Sequence, residues 1–336
     1  MKSPRGKRPD LLILLSVDTE EEWDWSGAFP EPDFSITNTA RIADFQAYCE
    51  SRGIRPTYFV DYAVANDASS SATLRQIALS QRGEIGAHLH PWANPPYFGP
   101  TGEFESHVVN LPLEQTEAKL DALLKVISQR IGVAPNSFRS GRWGIDRKIF
   151  DLLRRRGIRV DSSMYPCFKN DYFDCEHTPL HPYWPDFDAP AQASAQRDIL
   201  EIPPTVGFNW RNQRSALELY KVVTRPMFEP FRLVGVLWHS KVLRKLYLSP
   251  EVISGTEMAD LIDIVIAKRL PMMHMYLHSS SFIDHSKGMM SRANAFETLT
   301  RNIDTFLRYA QERANLRFCT ISEAATLHGA RWSLAA

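Results

Sequence analysis

"LLILLSVDTEEEWDW", residues 11–25, decides how the rest of the chain is read. Leu11–Leu15 are all aliphatic, and they run on through Ser16 and Val17 to Asp18 without the alternation of a half-exposed strand. A strand of this kind is buried on both faces, as in parallel sheets covered by helices. It ends in a cluster of carboxylates, Asp18, Glu20, Glu21 and Glu22. The stretch therefore predicts a central strand with an abrupt polar end. The apolar run is too short for a signal-peptide core, and no stretch approaches the ~18 continuous apolar residues of a spanning helix. A cytoplasmic protein is expected.

Working outward, "TYFV", "IRVDSS", "ILEIP" and "MMHMYLHS" are further apolar runs of strand length. Helix-like spacing separates them: Ile42, Phe45 and Cys49 in one segment, Leu120, Leu123, Leu124, Ile127 and Ile131 in another, and further segments near 146–156, 256–269 and 292–314. Three times a helical pattern ends in Arg-Gly before a strand, in "CESRGIRPTYFV", "ALSQRGEIGAHLH" and "LLRRRGIRVDSS". Glycine past the last turn suits a left-handed cap, and the arginine suits the negative end of the helix dipole. Alternating helices and buried strands mean a parallel sheet, closed as a barrel or open and doubly wound. The Pro- and aromatic-rich stretch 164–196 reads as a long loop over that sheet.

Composition narrows the function. Lys+Arg and Asp+Glu both number 39, so the formal charge is zero, which argues against nucleic acid as a partner. Cys49, Cys167, Cys175 and Cys319 form no CxxC pair, and reduced buried thiols are expected.

The polar residues collect at strand ends. Asp18 and Glu20 follow the first strand, His88 and His90 close "EIGAHLHPW", and Arg139 and Arg142 lie in "SFRSGRWG". Asp161 ends "RVD", Glu201 lies in "LEIP", and His278 ends "MYLH". In barrels and open α/β sheets the active site lies at the carboxyl ends of the strands. Two imidazoles and a carboxylate make a first shell for zinc or a related divalent metal. His-x-His in an extended segment turns both rings to one side. His274 shares a face with His278 but lies deeper in its strand, and is read as structural.

The order "SVDTEEEWDW … EIGAHLHPW … SFRSGRWG … DSS … HMYLHSSS" resembles the polysaccharide deacetylases with the NodB homology domain, carbohydrate esterase family 4, and most of all its WalW-like lipopolysaccharide-biosynthesis branch. The resemblance covers residues 11–325, leaving 1–10 and 326–336 as short terminal segments. It implies an α/β fold, a distorted (β/α) barrel, and metal-dependent removal of an acetyl group from a sugar. Asp18 matches the family's catalytic base. Thr19 stands at the usual ligand position, which makes Glu20 the substitute. His88 matches the first motif histidine, and Trp92 occupies the place of the second, so His90 takes over. Arg139 matches the motif arginine, His278 the catalytic acid, and Asp161 lies near the motif aspartate that tunes that acid.

On this reading zinc is the expected metal, Asp18 the base held ionised by Arg139, and His278 the acid that protonates the departing amine. The expected substrate is an acetylated sugar, nucleotide-sugar or lipid-linked glycan, with Trp25, Trp92 and Trp143 as stacking surfaces. The segment 231–248, "FRLVGVLWHSKVLRKLYL", mixes cations with Leu, Val and Trp. It suits a helix buried against the barrel, with peripheral membrane contact as the other role. Two rivals stand beside deacetylation: a deformylase or amidase on another acylated compound, and a non-catalytic barrel that binds glycan or a partner.

Overall fold

β1 (Asp10–Thr19) is the strand on which the sheet is built, in a computed structural model that describes residues 8–25, 27–30, 34–286 and 288–333. β2 (Thr57–Val60), β3 (Glu84–Leu89), β4 (Ser137–Ser140), β5 (Val160–Asp161) and β6 (Leu200–Glu201) follow it in order, each parallel to the last. β7 (Val206–Phe208) and β8 (Lys245–Tyr247) form a separate antiparallel pair. β9 (Met272–His278) lies along Leu12–Asp18 of β1, β10 (Asn315–Phe318) along Asp10–Ile13, and β2 along Ser16–Thr19. Because β9 overlaps both of the others, β10 and β2 must share the opposite edge of β1.

The side-chain period of two explains why β1 does not alternate in sequence. Leu11, Ile13, Leu15 and Val17 pack into the large core beneath the surrounding helices. Leu12 and Leu14 join Phe59, Val160, Leu200 and Met272 in a second core, on the concave side of the curled sheet. Further along β1 the same inward parity meets Ser16 and then Asp18, so the barrel interior is apolar at one end and polar at the other.

Among the described residues no ladder joins β6 to β9, and the barrel is distorted there. Thr205 bridges the gap. Its N–H donates to the His274 carbonyl at 2.9 Å, its hydroxyl accepts from the His274 N–H at 2.8 Å, and its carbonyl accepts from Leu248 N–H at 2.9 Å.

Helices lie at Ile42–Glu50, Leu113–Val126, Arg147–Arg155, Gly255–Ala267 and Ala295–Arg313, close to the periodic segments of the sequence. Residues 164–196 are irregular, as expected. The stretch 231–248 departs from the buried helix it suggested. A 3-10 turn at Pro226–Phe231 and a short helix at Leu233–His239 bury no residue, and only the last part becomes β8. The helix stops at Ser240, before Lys241 takes a left-handed φ of 59°, and its seven residues are too few to offer a continuous apolar face. The final helix, Ile321–Ser333, runs through much of 326–336, while 1–7 and 334–336 lie outside the described residues. No described helix is long and apolar enough to cross a membrane.

Candidate active site

Strand register assembles the site. Asp18 and His278 are direct partners on β1 and β9, and His88 and Arg139 are partners on β3 and β4. Parallel neighbours stand about 4.8 Å apart and point the same way. Arg139 is fully buried and reaches across the interior to Asp18, Nη1 to Oδ1 at 2.5 Å. Its other donors go to the Ser162 carbonyl at 3.1 Å and the Ser162 hydroxyl at 2.9 Å, and its guanidinium lies 4.4 Å from the Phe59 ring centre. Burial alone would raise the Asp18 pKa, but the charges of Arg139, His88 and His278 overcome it and hold the carboxyl below its usual range. His274 sits beneath, its Nε2 accepting a hydrogen bond from the Ser16 hydroxyl at 2.8 Å. Burial and the nearby Arg139 push its pKa down to about 3, so it is a neutral structural imidazole.

Glu20, His88 and His90 converge at the polar end, all buried. His88 donates from Nδ1 to the Arg139 carbonyl at 3.0 Å, which leaves the lone pair on Nε2 facing Glu20 Oε2 at 3.1 Å. His90 donates from Nδ1 to both oxygens of Glu21 at 3.0 Å, and its Nε2, 3.4 Å from Glu20 Oε2, has no hydrogen-bond partner. Each ring is oriented through the nitrogen turned away from the cluster, the arrangement that fixes a ligating histidine. A buried Nε2 without a partner and a carboxylate oxygen shared by two imidazoles fit a divalent cation. Gly141 makes room for this. A Cβ there would lie 1.9 Å from His90 Cδ2, so no other residue fits without moving the ring.

Behind His90 stand Glu21, Trp92 and Asp61, the last of which the sequence reading did not single out. Glu21 accepts from Trp92 Nε1 at 2.5 Å, and its backbone N–H donates to Asp61 Oδ2 at 3.3 Å. Burial opposes ionisation of Glu21, yet the His90 charge, its hydrogen bond and Asp61 bring the pKa down to about 2. Asp61 moves the other way: burial and the Glu21 charge keep it protonated well above the usual range. Asp61 follows the buried run "TYFV" directly, so the strand-end rule that picked out Asp18 also points to it.

His278 is held by Glu251. Its Nδ1 donates to Glu251 Oε2 at 2.9 Å and its backbone N–H to Oε1 at 2.8 Å, while Ser281 donates to Oε1 at 2.5 Å. The ring's Nε2 faces Asp18 Oδ2 at 3.8 Å. Burial would lower the His278 pKa, but Glu251, Glu20 and Asp18 raise it to about 10. The tuning role expected of Asp161 falls on a residue that points elsewhere. Val160 and Ser162 face the barrel interior, so Asp161 between them faces outward. There it accepts from Ser163 at 2.7 Å and pairs with Glu201, both pKa values being raised by burial. Glu251, not Asp161, is the carboxylate against His278.

The sequence matches no family model and no curated protein. Solved structures do match. A candidate polysaccharide deacetylase from Mycobacterium smegmatis superposes over 98% of this chain and 93% of its own, at 12% identity and a TM-score of 0.56. A candidate glycoside hydrolase/deacetylase from Parabacteroides distasonis covers 96% of this chain and 71% of its own, at 10% identity and a TM-score of 0.59. The fold is that of the polysaccharide deacetylases.

Around the mouth of this deacetylase-type barrel, aromatic residues divide by burial. Trp92 is 3% exposed, stacked on His90 at 4.3 Å and packed on Trp23, so it braces the histidine and offers no face to a sugar. Trp25 is 39% exposed and sits edge-on to His278 at 5.5 Å. Trp143 packs on Tyr165 and lies 5.0 Å from the Arg139 guanidinium. Arg142 turns away to Glu103 at 2.8 Å and Ser106 at 2.9 Å, and Glu22 caps the turn at Asn38. Neither reaches the centre of the barrel mouth.

Proposed function

We propose that residues 11–325 form a metal-dependent hydrolase that removes an acetyl group from an amino sugar in a glycan, or in its nucleotide- or lipid-linked precursor, during assembly of a surface polysaccharide such as lipopolysaccharide. The observation that carries this reading is the opposition of Asp18 and His278 beside the Glu20–His88–His90 cluster. Glu20, His88 and His90 would hold the cation, zinc by preference for this donor set, and such an ion supplies Lewis acidity and a more acidic water.

The chain's own groups do the rest. Asp18, kept ionised by Arg139, accepts a proton from the attacking water as its oxygen bonds to the acyl carbon. His278 carries the proton that the amine takes when the C–N bond breaks, giving acetate and a free amino sugar. Glu251 holds that proton-bearing ring in one orientation. The groove beside the site, about 570 Å³, is lined by Phe29, Tyr97, Thr101 and Glu103 among others, which suits the apolar faces and hydroxyls of a sugar. The test is acetate release from acetylated amino sugars, free, nucleotide-linked and polymeric, by purified protein with its metal content measured. Metal-loaded protein that releases no acetate from any of them would refute the proposal.

A further inference from the structure

Residues 222–242 form a surface that takes no part in the site, held to the body of the protein through Val223, Leu237 and Trp238. Val222, Met227, Phe231, Val234, Val236 and Val242 are six of the fifteen large hydrophobic residues exposed on the described surface, and all fall within this short stretch. The 3-10 turn Pro226–Phe231 and the helix Leu233–His239 contain no buried residue. Isolated helices of this length are unstable in water, and packing of an apolar face is what normally sustains them. Here Leu233, Leu237 and Trp238 are half-buried, while Val234 and Val236 are turned outward.

The base of this surface is nonetheless fixed. Trp210 donates its indole N–H to the Val242 carbonyl at 2.5 Å, Asn209 donates to the Lys241 carbonyl at 2.8 Å, and Leu237 packs on the cluster containing Phe208 and Leu217. The surface is thus presented on a firm mount.

Its charge identifies the occupant. Arg225, Arg232 and Lys241 are exposed, Glu229 is the lone acid of the stretch, and among the described residues none of the three cations forms an ion pair. The chain as a whole is neutral, so this is a local excess. Apolar side chains flanked by unpaired cations match the boundary between acyl chains and anionic headgroups. We infer that residues 222–242 dock the protein on an anionic membrane surface, with Met227 and Phe231 entering the interface and Arg225 and Arg232 facing headgroups. The inference stands apart from the reading of the active site, because binding is measured without turnover.

The experiment is vesicle flotation of the purified full chain, on phosphatidylcholine alone and on phosphatidylcholine with a quarter phosphatidylglycerol. The expected result is binding to the anionic vesicles that weakens with salt. Met227→Glu with Phe231→Glu should reduce partitioning by about tenfold or more. Arg225→Gln with Arg232→Gln should reduce it on anionic vesicles and leave any residual binding to neutral ones unchanged. An unaltered melting temperature in both pairs separates lost docking from lost folding. Wild-type protein that stays unbound on anionic vesicles at low salt would overturn the inference. So would a wild-type dimer on gel filtration that Phe231→Glu dissociates without any vesicle binding, since the face would then belong to a second copy of the chain.

Discussion

Replacing Glu251 by Gln removes one charge and leaves the shape of the side chain nearly unchanged, so it isolates what that carboxylate does to His278. In the folded protein the imidazolium is stabilised to a pKa of about 10, against burial that by itself would lower it, with Glu251 the largest opposing charge. A cation at the neighbouring cluster would offset Glu20 and Asp18, and Glu251 would then be the main group keeping His278 protonated. With Glu251 neutral, the pKa should fall to the ordinary histidine value of about 6.5 or lower. At pH 8 the protonated fraction then drops from nearly all to roughly one part in thirty, and kcat should fall by about that factor. Because the group titrates as an acid, the loss appears on the alkaline side: the descending limb moves down toward neutrality, and activity recovers as pH is lowered. The assay is the pH profile of acetate release for wild type, Glu251→Gln and Asp161→Asn, together with hydrolysis of an aryl acetate whose leaving group needs no proton. The aryl ester should be nearly indifferent to Glu251→Gln. A Glu251→Gln profile superimposed on wild type, or an Asp161→Asn variant that reproduces the alkaline loss, would refute the assignment of the tuning carboxylate.

Asp18→Asn should retain metal and lose about 10²–10⁴-fold in turnover, checked by metal analysis and acetate release on the same sample. Glu21→Gln weakens the carboxylate that orients His90, and metal affinity should drop about 10–100-fold in a chelator competition. Gly141→Ala pushes the His90 ring aside, so metal occupancy should fall more than thermal stability does. Arg139→Met leaves Asp18 buried without its partner, and urea unfolding should show a loss of about 3–5 kcal/mol, most of which Asp18→Asn in the same chain should restore.

Much of the fold was legible because β1 carries its environment in its residues. An aliphatic run with no alternation has to be covered on both sides, and the inward positions 12, 14, 16 and 18 read Leu, Leu, Ser, Asp from the apolar floor to the polar mouth. The cluster of Glu20, His88 and His90 followed from the same strand-end reasoning, and the structure brings those three together. Asp161 was expected beside the acid from its nearness to a motif, and β5 has only two residues, too few for the sequence to show which face each one takes. Glu251 was missed because it reaches His278 from a loop after β8, a strand of the small antiparallel pair that lies outside the alternating pattern. Trp92 looked like a sugar platform until its neighbours were known, since only the folded chain stacks it on His90 and turns its N–H to Glu21.

The pairing of β1 with β9 and β10 also governs how the protein is born. Glu20 hydrogen-bonds Ser279, 259 positions further along the chain, and Asn315 pairs with Asp10. At translation rates of about 5–20 residues per second, the first strand leaves the ribosome roughly ten seconds to a minute before these partners exist. Throughout that interval the most aliphatic segment of the molecule has an open edge, in a topology whose long-range contacts are slow to form. Nascent chains therefore need a chaperone or low crowding for longer than their size suggests. A stop codon placed just before β9 should yield aggregate where the full message yields folded protein.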